Sequence, residues 1–275
     1  MIKAIKLEWL KIRNYKTFWV LLGMYFLALT IICFGGMFFL EYLKSEGAEF
    51  EGIDPTMLPI YDFPDIWQNM TYLGSFLRIL LAFIVIITVN NDQIYNTLRQ
   101  NIIDGVSKGE YLTSKLLFVV ILAMISTLFV FIAGLINGAL YSHVWGLEFL
   151  FDGTIFLFAY FYDIVIFCSL AFLLSLLFKK SGFVIVLLFL YSMMFEPILG
   201  VIIEHAVFLQ DTIFQPMVNF LPVKALNNLI TVPFPRYIFR EITDYLPLGS
   251  FAIASAWLAF YLSAILLILK RRDLK

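Results

Sequence analysis

The chain has 275 residues, of which 62% are hydrophobic and only 14% charged, with a mean hydropathy of +0.92. Soluble domains are far less apolar, so this composition excludes an ordinary globular core, and its thirty Phe and fourteen Tyr suit helix surfaces that face lipid. The net charge of −1 says nothing about partners, because the charges segregate by sign along the chain.

Met1–Lys16 places Ile2, Ile5, Trp9 and Ile12 on one helical face, flanked by lysines and Arg13. The pattern fits a helix lying in the inner membrane surface, or a basic leader that only sets topology. Six apolar runs follow, at Thr17–Leu40, Leu73–Val89, Leu116–Tyr141, Thr154–Phe178, Ser181–Ile203 and Leu248–Leu269. A crossing needs ~20 apolar residues, so each reads as a transmembrane helix. The period-3.6 polar stripe of a soluble surface helix is missing from most of them. The first run is too long for a signal peptide and lacks a small-residue cleavage site, so it reads as an uncleaved anchor.

Basic residues fix the orientation. Lys3, Lys6, Lys11, Arg13 and Lys16 precede the first run; Arg99, Lys108 and Lys115 follow the second. Lys179 and Lys180 follow the fourth, and Lys270, Arg271, Arg272 and Lys275 close the chain. Acids instead crowd the first external loop, from Glu41 through Glu46, Glu49, Glu51, Asp54 and Asp62 to Asp65. The expectation is an all-α membrane protein, a single transmembrane domain over residues 1–275, with six spans and both ends in the cytoplasm.

Two connections are long. Asn90–Ser114 is polar, with a helical stretch over Asp92–Ile103 and a break at Gly105, and reads as a solvated connector or a docking surface. Glu204–Pro247 is external, proline-rich, and holds short apolar stretches at Ala206–Leu209 and Ala225–Val232 that are too short to span. Irregular backbone at membrane depth must be buried in protein, so this segment reads as a cap on the bundle.

Three ionisable residues fall inside spans, where charge is costly and usually paired or functional. Counted at ~1.5 Å of rise per residue from the outer ends, Arg78 lies roughly 8 Å deep, Glu196 roughly 11 Å and Asp163 roughly 14 Å. Arg78 is therefore expected to pair with Asp163, Glu196 or both, as a gate element or as an ion pair that fixes helix register. Pro197 frees a carbonyl one turn earlier, near Ser192–Met193, and predicts a kink in the fifth span. Cys33, Cys168, His143 and His205 show no metal-ligand spacing and no disulfide framework, so no metal site is expected.

Thr97-Leu98-Arg99, Asp104-Gly105-Val106-Ser107-Lys108, Glu110-Tyr111, Lys115-Leu116-Leu117 and the closing Lys270-Arg271-Arg272-Asp273-Leu274 together resemble an ATP-binding cassette transporter permease of the ABC-2 type. Asn96 stands where that family usually has Gly. The resemblance implies an exporter permease in a bacterial cell membrane, paired as a dimer with a second copy or a paralogue. It also implies a separate nucleotide-binding subunit seated on a coupling helix within residues 90–114, with Asp92, Thr97, Arg99, Asp104, Ser107, Lys108 and Glu110 as contacts. The sequence has no G-x-x-x-x-G-K-[ST] phosphate loop, so this chain is not expected to be an enzyme or to bind a cofactor. ATP and Mg would sit on the partner subunit. Lipid is the remaining expected partner, and nucleic acid is not one. The alternatives are an ion-coupled secondary transporter, an anchor or assembly subunit that transports nothing, and an intramembrane enzyme. No inverted repeat supports the first, and no G-x-S-x-G or H-E-x-x-H motif supports the last.

Overall fold

A computed structural model of the chain describes residues 2–47, 59–144, 146–205, 215–233 and 245–271. Outside the described residues lie Glu49, Glu51 and Asp54 of the acidic loop, the Ala206–Leu209 stretch, and the Arg272-Asp273 part of the C-terminal motif. Among the described residues every regular element is helical. Five helices are long and apolar enough to cross a membrane, and a bent pair makes a sixth span.

Helix α1 (Ile2–Arg13) leads by a short turn into α2 (Lys16–Ser45). The second span is the bent pair, α3 (Asp65–Ser75) and α4 (Arg78–Ile94), which meet at 45°. It begins at Asp65 rather than at Leu73. Hydropathy misses α3 because its polar residues Gln68, Asn69 and Thr71 are buried against protein instead of facing lipid. At the bend the ladder tightens: Leu77 N–H donates to the Gly74 carbonyl and Leu80 N–H to that of Leu77, both at 3.0 Å.

A short helix, α5 (Thr97–Ile103), precedes the third span, α6 (Lys108–Tyr141). After α7 (Leu147–Phe151) comes the fourth, α8 (Ile155–Leu177). The fifth is built of α9 (Ser181–Leu190), a π turn over Tyr191–Phe195, and α10 (Glu196–His205). Pro197 has no N–H for the Met193 carbonyl, and the wider π turn falls on that stretch. A 3₁₀ turn at Gln215–Phe220 leads to α11 (Pro222–Asn227), and α12 (Leu248–Arg271) is the last span. The short external helix thus starts ahead of the Ala225–Val232 stretch, because Pro222 supplies a ready first turn.

Helix α8 is the central post, packed by α3, α4, α6, α9 and α12. Its most apolar stretch is 72% buried, against at most 33% for the other four long helices. It tolerates this in part because its buried serines are satisfied within the helix: Ser169 donates to the Val165 carbonyl and Ser175 to that of Ala171, each at 2.7 Å. Lipid is as apolar as a helix face, so close packing rather than water exclusion holds such a bundle together. One close seam is that of α3 and the residues just before it on α6, where the Trp67 and Phe63 rings press on Gly134 and Gly138. A Cβ on Gly134 would sit 2.5 Å from Trp67 Cζ3, and one on Gly138 would enter the Phe63 ring. Gly138→Ala is therefore expected to cost about 1–3 kcal/mol by overpacking, read as a lower thermal midpoint in detergent. Gly23→Ala, where nothing lies within 4 Å of the new methyl, should leave the midpoint in place.

Candidate functional site

At the basic end, four ionic side chains close on one another. Lys115 is buried in the first turns of α6 and reaches Glu8 Oε2 of α1 at 2.7 Å and Asp92 Oδ2 of α4 at 2.6 Å. Lys11 completes the ring, 2.8 Å from Asp92 Oδ1 and 3.3 Å from Glu8 Oε1. Thr97 donates to Asp92 Oδ1 at 2.7 Å and Tyr111 to Oδ2 at 3.4 Å. Two cations and two anions alternate, so the group is neutral and each charge faces its opposite. A buried ionic group holds its shape only under that condition. The node joins α1, α4, α5 and α6 at one point, beside an open cavity of about 300 Å³ lined by Tyr15, Tyr95 and Thr97 among others.

Of the apolar face that the sequence assigns to the membrane surface, Trp9 is 55% exposed and Ile12 is buried, so this face as a whole is not what docks α1 on the bundle. The docked face is instead Glu8, Lys11 and Ile12. The signal was present as a Glu8–Lys11 pair one turn apart, which reads equally well as a solvated face until its partners are known.

The residues expected to meet a partner divide into three groups. Asp92 and Thr97 turn inward and serve the node. Ser107 and Glu110 form a capping box on α6: the Ser107 hydroxyl accepts the Glu110 N–H at 3.1 Å, and Glu110 Oε2 accepts the Ser107 N–H at 3.0 Å. Lys108 donates to the Lys270 carbonyl at 3.2 Å and ties α6 to the end of α12. Arg99 and Asp104 are left on the open face of α5, Asp104 accepting from Gln100 at 3.3 Å. Beside them Ile94, Tyr95 and Ile103 are 53%, 72% and 63% exposed, an apolar patch that the sequence analysis passed over. Asn96 begins α5 with φ of +54°, a left-handed conformation that favours Gly and that Asn tolerates best among the rest.

At the acidic end Arg78 and Asp163 form a direct buried ion pair. The guanidinium also donates to Asn227 Oδ1 at 2.6 Å and stands 5.0 Å over the Phe167 ring. Glu196 lies close by but is not bonded to Arg78. Its Oε1 accepts the Lys224 backbone N–H at 2.7 Å, in the first turn of α11. Of the expected pairings Arg78 thus takes Asp163, while Glu196 holds the short helix α11. Between the two ends, the hydroxyls of Tyr25, Ser126 and Tyr160 bond one another in a closed triangle linking α2, α6 and α8. Nothing in the sequence links these three, since each is a lone polar residue in an apolar run.

No curated protein matches the chain. A family model described as ABC-2 family transporter protein matches residues 4–195, from α1 to the last residue of the π turn. That match takes in well over half of the sequence, both sides of the ionic node, the first four spans and the first part of the fifth, and the chain belongs to the ABC-2 family of transporter proteins as a multi-pass membrane permease.

Proposed function

We propose that this permease forms the membrane half of an ATP-driven exporter, with hydrolysis on a separate cytoplasmic ATPase subunit that seats on α5. The observation that carries the reading is the exposed face of α5 and its flanks. Ile94, Tyr95 and Ile103 present apolar surface beside Arg99 on a polar loop at the basic end of the bundle. Exposed apolar side chains grouped with an arginine are the composition of a protein-binding surface.

The connections of α5 support force transmission as well as docking. At its start, Asn96 and the Thr97–Asp92 bond join it to α4 and to the ionic node. At its end, Gly105 with φ of +92° turns the chain into the capped start of α6. A displacement of α5 by a nucleotide-driven partner would move α1, α4 and α6 together, which is the two-state element an ATP cycle needs. Residues 1–275 then act as one permease unit, in a bacterial cell membrane, beside a second permease copy or a paralogue.

The test is a pull-down of the solubilised chain from native membranes with mass spectrometry of what accompanies it. Wild type is expected to bring down a soluble ATPase. Arg99→Glu with Ile103→Glu, both on exposed positions, is expected to lose at least nine-tenths of it while keeping the wild-type thermal midpoint. An ATPase retained by that double variant would place the docking surface elsewhere, and its absence from wild type would favour an ion-coupled transporter or an anchor.

A further inference from the structure

The buried charges at the acidic end do not balance. Arg78, Asp163 and Glu196 are 8%, 0% and 2% exposed, one cation against two carboxylates. Arg78 is committed to Asp163, Asn227 and the Phe167 ring. Glu196 accepts the Lys224 N–H on Oε1 at 2.7 Å, the Val223 N–H and the Tyr191 hydroxyl also face its carboxylate, and Oε2 is buried without a well-formed hydrogen bond among the described residues. The Lys224 ammonium is turned away, 3.1 Å from Glu204 Oε1. The other ionisable side chains beside the carboxylate are Tyr191 and Tyr261. A carboxylate out of water with no counter-charge is stable only if something cationic, or a proton, joins it.

Space for that group exists. Glu196 lines a cavity of about 200 Å³ together with Gly200, Glu204 and Leu221. Pro197, Val223, Lys224 and Asn227 form a wall shared with a second cavity of about 360 Å³. The second is faced by Phe76, Ile79, Phe167 and Met193 on its apolar side, with Arg78 and Asn228 on its polar one. Phe76 and Met193 are 52% and 44% exposed on the outside of the bundle, so the larger cavity meets the surface along an apolar edge. An ammonium group fits the first chamber and an alkyl chain the second, and the tyrosine rings beside Glu196 add favourable faces for a cation.

We propose that Glu196 is a binding residue for the ammonium head of a cationic or zwitterionic amphiphile, whose apolar chain occupies the cavity between α3–α4 and the π turn. The site deepens the exporter reading by naming a substrate class, and its role in transport rests on that reading; binding itself does not. An ammonium-bearing phospholipid of the bilayer and a free amphiphilic amine present the same chemistry.

The test uses the full-length permease alone, in nanodiscs of digalactosyldiacylglycerol, whose headgroup carries no ammonium, titrated calorimetrically with dodecylammonium, dodecyl sulfate and dodecyl maltoside. Dodecylammonium is expected to show a saturable one-site component above its bilayer partitioning, weakened at least tenfold in Glu196→Gln and unchanged in Asp152→Asn. Carbodiimide labelling of Glu196 in the wild type, read by mass spectrometry, should fall when dodecylammonium is present, which keeps the test intact if Glu196→Gln fails to fold. Adding phosphatidylethanolamine to the discs separates the sources: competition assigns the site to a bilayer lipid, and undiminished binding assigns it to a free amine. Equal binding by wild type and Glu196→Gln, equal affinity for dodecyl sulfate, or no protection from labelling would overturn the proposal in favour of a protonated carboxylate. No ATPase is in the assay, so a failed pull-down and a failed titration are separate results.

Discussion

Arg78→Met is expected to destabilise the permease by about 3–5 kcal/mol, the range for removing one partner of a buried ion pair. The Asp163 carboxylate would be left at the centre of α8 with no exposure and with its second oxygen already lacking a partner. Asn227 would lose its 2.6 Å donor, loosening α11 from the bundle. Asp163→Asn should cost less, since the guanidinium keeps Asn227 and the Phe167 ring and is the better placed of the two to recruit water from the adjoining cavity. The double variant Arg78→Met, Asp163→Asn should recover at least half of the loss, because it removes the stranded charge together with the bond. Thermal unfolding in nanodiscs measures all three. A midpoint for Arg78→Met equal to wild type would mean that water or lipid already solvates this pair. Unchanged stability together with unchanged transport would remove both the gate and the register-pin interpretations.

The contrast between this pair and its neighbour shows what a sequence read alone reveals. Span existence was legible, because hydrophobic length is a local property of the chain. The start of the second span was not. Gln68 and Asn69 make α3 look like a loop, and only the carbonyls of Thr231 and Ile60, distant or turned back in the chain, make those amides cheap to bury. The same limit separates Asp163 from Glu196. Both are single carboxylates in apolar runs, and depth counting put both within reach of Arg78. Which one takes the guanidinium depends on how α4 and α8 face each other. Asp92 gives a third case. A polar loop residue reads naturally as a contact for a partner, and the sequence did not reveal that Lys115, Lys11 and Thr97 converge on it from three different elements. Arg99 was legible because an exposed side chain on a short helix needs no knowledge of tertiary contacts to be placed.

Lys115→Met is the companion experiment at the basic end, and it is expected to reach function further than Arg78→Met does. It would leave Glu8 and Asp92, both almost fully buried, facing the single ammonium of Lys11. A loss of about 3 kcal/mol is expected, at the lower end for a broken buried pair because Lys11 still compensates one carboxylate. High salt should restore little of it, since such charges lie within contact distance and out of solvent. The distinctive consequence is local. Glu8 and Lys11 are the polar anchors by which α1 holds the bundle, with Ile12 as the apolar one, so α1 should undock before the spans separate. Hydrogen exchange in α1 should then rise by at least tenfold in Lys115→Met while α8 stays protected. Glu8→Gln combined with Lys115→Met should be milder than Lys115→Met alone, having one charge of each sign left between Lys11 and Asp92. If α5 transmits motion through this node, the single variant will still recruit its ATPase through Arg99 and Ile103 but will no longer couple hydrolysis to transport. Recruitment and coupling lost together would instead make the node part of the docking surface, and neither lost would reduce it to a brace for α1.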